Sequence, residues 1–183
     1  MARRILTVPN ELTFLRLVFL PFFIIFIYYD RYAWALGILI AAAASDALDG
    51  LLARRLDQKT ALGAYLDPIA DKLLLSSSFL ILALKGKIQW WLTILVLGRD
   101  VLILTAAAAI LVVAGYRPFP PTLYGKATTF TQIVLIVLVI AAAVVDSRWL
   151  WTIRSVLTYL VAAFTVLSGL HYSLVIARRL SGS

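Results

Sequence analysis

Asp46, Asp49, Asp67 and Asp71 place four carboxylates within 26 residues of a chain that is otherwise mostly aliphatic. On a helix, at about 100° per residue, Asp46 and Asp49 lie about 60° apart, with Gly50 and Ala53 near the same face and Arg54 about 80° round from Asp46. Gly63, Asp67 and Asp71 follow at i, i+4 and i+8, which makes a single stripe. The "RLDQKTA" between the two sets is short and polar, so the two helices are expected to be antiparallel neighbours whose carboxylates converge. Four like charges repel, and each aspartate at the centre of a membrane helix costs about 2.5–3.5 kcal/mol on insertion scales. Divalent cations neutralise such clusters. All-oxygen donors suit Mg²⁺, Mn²⁺ or Ca²⁺ rather than zinc, and Mg²⁺ is usually held by a few carboxylates together with substrate phosphates. Gly50 and Gly63 leave room for a ligand to approach the backbone, and Arg54 offers a forked donor for phosphate. This is the chemistry of a metal-dependent phosphate or diphosphate site. The three-residue gap between Asp46 and Asp49 does not fit an EF-hand, which needs alternating oxygen ligands. Arg55, Asp57 and Lys59 read as a solvated helix end.

The elements that must carry these residues follow from composition. The chain has 183 residues, 63% of them hydrophobic, against roughly 45–50% in a soluble domain, and its mean hydropathy is +0.97. Six runs, about Leu12–Tyr29, Tyr32–Leu52, Leu62–Leu84, Trp90–Ala114, Leu123–Val145 and Leu150–Ala177, approach or exceed the roughly 20 residues that cross a bilayer. Their lack of strict alternation favours helices over barrel strands. The expected fold is all-α, six transmembrane helices in one membrane domain spanning 1–183. The basic residues Arg3, Arg4, Arg54, Arg55, Lys59, Arg117, Lys126, Arg178 and Arg179 fall on the side of the termini, and Arg31, Lys85, Lys87 and Arg148 on the other. The positive-inside rule then puts both termini, and the aspartates, in the cytoplasm. Trp90, Trp91, Trp149 and Trp151 stand at span ends, where aromatic belts form. The N-terminal run is expected to be an uncleaved span rather than a signal peptide, because it is long and no small-residue cleavage site follows it. With no cysteine, disulfides and thiolate metal sites are excluded. The surplus of 17 Lys+Arg over 9 Asp+Glu points to anionic headgroups or a phosphorylated substrate. Nucleic acid is not expected as a partner, since no long basic run stands apart from the apolar spans.

The full pattern, D-x2-D-G-x2-A-R-x8-G-x3-D-x3-D from Asp46 to Asp71, resembles the signature of the CDP-alcohol phosphatidyltransferases at every position. "PNELTFLR" at Pro9–Arg16 and "LGAYLDPIADKLL" at Leu62–Leu74 look like bacterial phosphatidylglycerophosphate synthases and CMP-forming cardiolipin synthases. The resemblance covers nearly the whole chain. It implies that Asp46, Asp49, Asp67 and Asp71 ligate two divalent ions, Mg²⁺ or Mn²⁺, at the diphosphate of CDP-diacylglycerol. Asp46, Gly50, Ala53, Arg54 and Gly63 would form the nucleotide and phosphate subsite, with Gly50, Ala53 and Gly63 lining the cytidine pocket and Arg54 on a phosphate. Asp71 would also be the catalytic base on the acceptor hydroxyl. The resemblance further implies a homodimer and a bacterial inner-membrane location.

The acceptor must be read elsewhere. Asn10 and Arg16 on the first span, Arg99–Asp100 inside the fourth, and Lys126 at the start of the fifth are candidates, because intramembrane ionisable residues are functional by default. Arg99 and Asp100 could equally hold helices together. Arg154 could line the pocket or snorkel to an interface, and His171 reads as structural. The segment "GKATT" carries Thr128 where the resembling phosphatidylglycerophosphate synthases usually have a second lysine, and "RDV" looks more like the cardiolipin synthases. One cation fewer fits the phosphodiester of phosphatidylglycerol better than the monoester of glycerol 3-phosphate, which is the alternative acceptor. An intramembrane prenyltransferase would lack this motif register. A divalent-cation transporter, the distant alternative, would need a matching acidic site towards the other membrane surface.

Overall fold

Long apolar runs without alternation fold as helices, because a helix satisfies its backbone polar groups internally. In the computed structural model this holds for every run, over described backbone at 8–56, 61–114, 123–145 and 147–181 and described side chains at 17–44, 71–105, 123–145 and 147–174. Six helices stand among the described residues: α1 Val8–Tyr28, α2 Tyr32–Leu56, α3 Ala61–Leu84, α4 Trp90–Ala114, α5 Leu123–Val145 and α6 Arg148–Ser181. No strand occurs among them. The bounds follow the apolar runs closely. α1 starts earlier and α6 runs on at both ends, because each added helical residue gains a backbone hydrogen bond whether its side chain is apolar or not. Pro9 falls in the first turn of α1, where its missing N–H costs nothing.

The turns have identifiable causes. α1 ends in a Schellman motif: the Arg31 N–H donates to the Phe26 carbonyl at 2.8 Å and the Asp30 N–H to the Ile27 carbonyl at 3.1 Å. Its left-handed residue is Asp30, at φ 58°, a residue type that tolerates αL better than most. The Asp30 carboxylate is held on both sides. Lys85 Nζ donates to Oδ2 at 2.8 Å, and the Tyr32 hydroxyl donates to Oδ1 at 2.7 Å. Lys85 also donates to the Tyr28 carbonyl at 3.1 Å, which ties the end of α3 to the α1–α2 turn. Gly86, at φ 66°, lets the chain leave α3 in the left-handed conformation that suits glycine after a helix.

Two compact units divide the chain, Met1–Lys85 with Ile140–Asp146, and Gly86–Val139 with Ser147–Ser183. In the first, α1 packs against both α2 and α3, and Phe23, Ile27, Ala35, Phe79 and Leu82 are buried. In the second, α4 packs against α6. Trp91 stacks on Tyr159 at 6.2 Å between centroids, and Arg99 reaches Ser168. The two contacts keep nearly one offset, so α4 and α6 run parallel. α5 runs antiparallel to α6, since Thr128 meets Phe164 while Tyr124, earlier on α5, meets His171, later on α6.

Among the described residues, two helices are long and apolar enough to cross a membrane, Leu123–Val145 and Arg148–Leu174. Large apolar side chains also face outward: Phe22 and Ile25 on α1, Ile94 and Leu104 on α4, Phe130 on α5, and Val156 and Leu167 on α6 are all exposed. Soluble monomers rarely display so much apolar surface, so the chain has the surface of a membrane protein.

Candidate active site

The motif is carried by two consecutive helices of the first unit. Asp46, Asp49, Gly50, Ala53 and Arg54 fall on the C-terminal half of α2, and Gly63, Asp67 and Asp71 on the N-terminal half of α3. α2 stops at Leu56 and α3 starts at Ala61, so the two halves flank one short connection. α3 is continuous through the motif, which keeps Gly63, Asp67 and Asp71 at helical i, i+4, i+8 register. α1, packed against both α2 and α3, carries Asn10 and Arg16. The side chains of Asn10, Arg16, Asp46, Asp49, Gly50, Ala53, Arg54, Gly63 and Asp67 lie outside the described residues, as do Asp57 and Lys59 of the connection. The Asp71 side chain is described. It is exposed, and both it and Lys72 are engaged in polar or electrostatic contacts. A carboxylate reachable from outside the helix packing is what a ligand-facing role requires of it.

The second unit holds a polar seam between apolar helix faces. Arg99 on α4 donates from Nη1 to Asp100 Oδ1 at 2.8 Å and from Nη2 to Ser168 Oγ on α6 at 2.7 Å. Its guanidinium carbon stands 5.8 Å from the centre of the Tyr172 ring. The Arg99 and Asp100 side chains are only 9% and 11% exposed, so a full ion pair sits in a largely desolvated place. Arg99 Nε is buried and has no hydrogen-bond partner among the described residues. One turn of α6 away, the buried Thr128 hydroxyl lies 2.7 Å from the Tyr124 carbonyl and 3.1 Å from the Phe164 carbonyl. The His171 ring sits 5.3 Å from that of Tyr124. Lys126, on α5, is exposed.

Arg99 and Asp100 are therefore brought together, with each other before anything else. The sequence reading named neither Ser168 nor Tyr172, which share Arg99 with Asp100. A serine and a tyrosine four residues apart on one helix face were the available signal, but their link to Arg99 depends on α6 lying beside α4. Arg154, left open between two roles, places its guanidinium carbon 4.5 Å from the centre of the Trp151 ring.

The family model for CDP-alcohol phosphatidyltransferase matches residues 6–167. The chain is 38% identical over 129 residues to a protein of Mycobacterium tuberculosis named putative cardiolipin synthase, covering 69% of this chain and 61% of the relative. A second protein of that organism, named probable phosphatidylglycerophosphate synthase, is 38% identical over 141 residues, 73% of this chain and 65% of the relative. The Streptomyces coelicolor protein named cardiolipin synthase (CMP-forming) is 38% identical over 133 residues, 69% and 61% of the two chains. The matched part thus spans about three-fifths of the length of these relatives. The match takes in the whole Asp46–Asp71 motif and five of the six helices entirely. With its motif on α2 and α3 of an all-helical chain, this protein belongs to the CDP-alcohol phosphatidyltransferase family.

Proposed function

We propose that the chain transfers a phosphatidyl group from CDP-diacylglycerol to an alcohol acceptor with release of CMP, and that the acceptor is phosphatidylglycerol. The observation that carries the transfer is the complete motif across the C-terminal half of α2 and the N-terminal half of α3. The donor set fits hard divalent cations: it holds four carboxylates and no imidazole or thiol, and the described member, Asp71, is exposed. Asp46, Asp49, Asp67 and Asp71 would hold two Mg²⁺ or Mn²⁺ ions, which supply neutralisation of the diphosphate and of the leaving group. Arg54 grips a phosphate in its fork. Gly50, Ala53 and Gly63 keep the helix faces low enough for the cytidine. Asp71 takes the proton of the acceptor hydroxyl as its oxygen bonds to the phosphorus that carries diacylglycerol. The bond from that phosphorus to the bridging oxygen breaks, and CMP leaves with that oxygen.

Three observations support phosphatidylglycerol. Thr128 leaves the α5 seam with no charge of its own. Arg99 is already neutralised by Asp100, so this pair adds little net charge for a dianionic monoester. Relatives named cardiolipin synthase stand among the matches. Relatives named for phosphatidylglycerophosphate synthesis stand there too, which keeps glycerol 3-phosphate as the second reading. In the remaining parts of the proposal, charge and composition support the spans and their sidedness, and the family supports the location and the homodimer. Six spans run with both termini and the motif on the cytoplasmic side of a bacterial inner membrane, the two units act as one domain because the family model runs through both, and the working form is a homodimer. The test is an acceptor panel with purified protein, CDP-diacylglycerol and Mg²⁺ or Mn²⁺, reading CMP and lipid product. Cardiolipin formed from phosphatidylglycerol is the expected result. A product formed only from glycerol 3-phosphate moves the assignment to the second reading, and absence of CMP with every acceptor overturns the transferase.

A further inference from the structure

Lys87, Trp151 and Arg154 form a cationic group at the other end of the second unit, on residues that neither the motif nor the acceptor seam uses. Lys87 leaves the turn before α4, and Trp151 and Arg154 share a face of α6 at i and i+3. Arg154 stacks its guanidinium carbon 4.5 Å from the centre of the Trp151 ring, and Lys87 Nζ stands 6.0 Å from the same centre. One indole thus gathers two cations. Arg154 is half-buried on a helix long and apolar enough to cross a membrane. It makes no ion pair with any described residue. A guanidinium in such a place needs an anion, since an uncompensated charge in a membrane helix is costly. Stacking on the indole uses one face of the guanidinium and leaves its in-plane N–H groups, the fork that matches phosphate oxygens, without an acceptor among the described residues.

The surroundings indicate the source of that phosphate. Exposed Trp90, Trp91 and Trp149 sit at the same helix ends, and tryptophans at span ends mark the headgroup level of a bilayer. Arg154 lies one helical turn below Trp151 along α6, so folding back onto the indole raises its charge to that level. We infer that Arg154, held against the Trp151 indole, binds the phosphodiester headgroup of an anionic membrane lipid at the membrane surface where α4 and α6 begin. The uncompensated charge of Arg154 favours a lipid with net negative charge over a zwitterionic one, whose own cation it would repel. The inference rests on the proposed membrane topology but not on the transfer reaction.

The probe is phosphatidylserine, an anionic diester that is neither the proposed donor nor an acceptor in the reading above. Full-length protein is exchanged into nanodiscs of equal phosphatidylserine and phosphatidylcholine, and retained lipid is measured by native mass spectrometry with no CDP-lipid present. Wild type is expected to retain phosphatidylserine over phosphatidylcholine. Arg154→Gln should lower that retention about fivefold, and Arg154→Lys, which keeps the charge and loses the fork, should fall between them. Equal retention by wild type and Arg154→Gln overturns the site. If Arg154→Gln does not fold, Arg154→Lys is read in its place, with reduced retention expected and unchanged retention overturning the site. Added inorganic phosphate should not displace the lipid; full displacement overturns the lipid as its source. CMP release is measured separately, so loss of the lipid effect and loss of the transferase reading are told apart.

Discussion

The charges of α2 and α3 and those of α4 solve the same problem in opposite ways. On α2 and α3 the motif repeats one sign, four aspartates with Arg54 as its only cation. On α4 a base and an acid stand side by side and neutralise each other at 2.8 Å. Four carboxylates exceed what one arginine can offset, so the proposed site would draw cations from outside and, with them, an anionic substrate. A paired set is already neutralised in charge and can lock two helices while still offering a polar surface. This difference separates the proposed donor chemistry, which would draw on a metal, from the α4–α6 seam, which locks two helices of the second unit.

Four experiments can break or sharpen that contrast. Chelation has the largest expected effect. EDTA should abolish CMP release, Mg²⁺ or Mn²⁺ should restore it, and turnover that persists in EDTA would break the contrast at its root. Asp71→Asn comes next, with turnover down by about 10²–10⁴ and the thermal transition nearly unchanged. Near-normal turnover removes Asp71 from its role as base. Arg99→Leu should act on stability first. It strips Asp100 of its paired charge in a largely buried place, for about 3 kcal/mol, and Arg99→Leu/Asp100→Leu should recover most of that loss. If the double variant regains stability and normal acceptor KM, the pair only holds helices; a raised KM for the acceptor alone assigns it to the acceptor. Asp30→Asn should matter least. Its partner Lys85 and the carboxylate itself are partly exposed, at 24% and 59%, so the loss is at most about 1 kcal/mol, read as a small drop in Tm with unchanged CMP release.

The helices were legible because their signal is local. Apolar runs broken by "YDR", "KGK" and "DSR" leave the chain little choice but helix and turn, and the observed bounds follow those breaks. The motif was legible for the same reason. Its spacing of three and four residues is helical, and the continuous α3 preserves it. The left-handed Asp30 was less visible, since an aspartate in a polar turn does not announce which of its neighbours caps the helix. Its conformation came with the Schellman hydrogen bonds and the Lys85 contact, 55 residues away.

Arg99 shows where the reading of the sequence ran out. Adjacent residues on a helix point about 100° apart, so "RD" alone does not say whether its members face each other, a ligand or another helix. Ser168 lies 69 residues further on, and only the parallel packing of α4 on α6 brings it to Arg99. Arg154 was ambiguous in the same way, because i and i+3 allow a contact with Trp151 without requiring it, and Lys87 joins them from a different part of the chain. The sequence by itself determined the helical, apolar character of this protein and the carboxylate register of its motif, since both depend on residues within two or three turns of one another. The tertiary structure decided that Arg99 is spent on its own chain while Arg154 makes no ion pair with any described residue, because charge pairing depends on distances between helices that the order of residues does not contain.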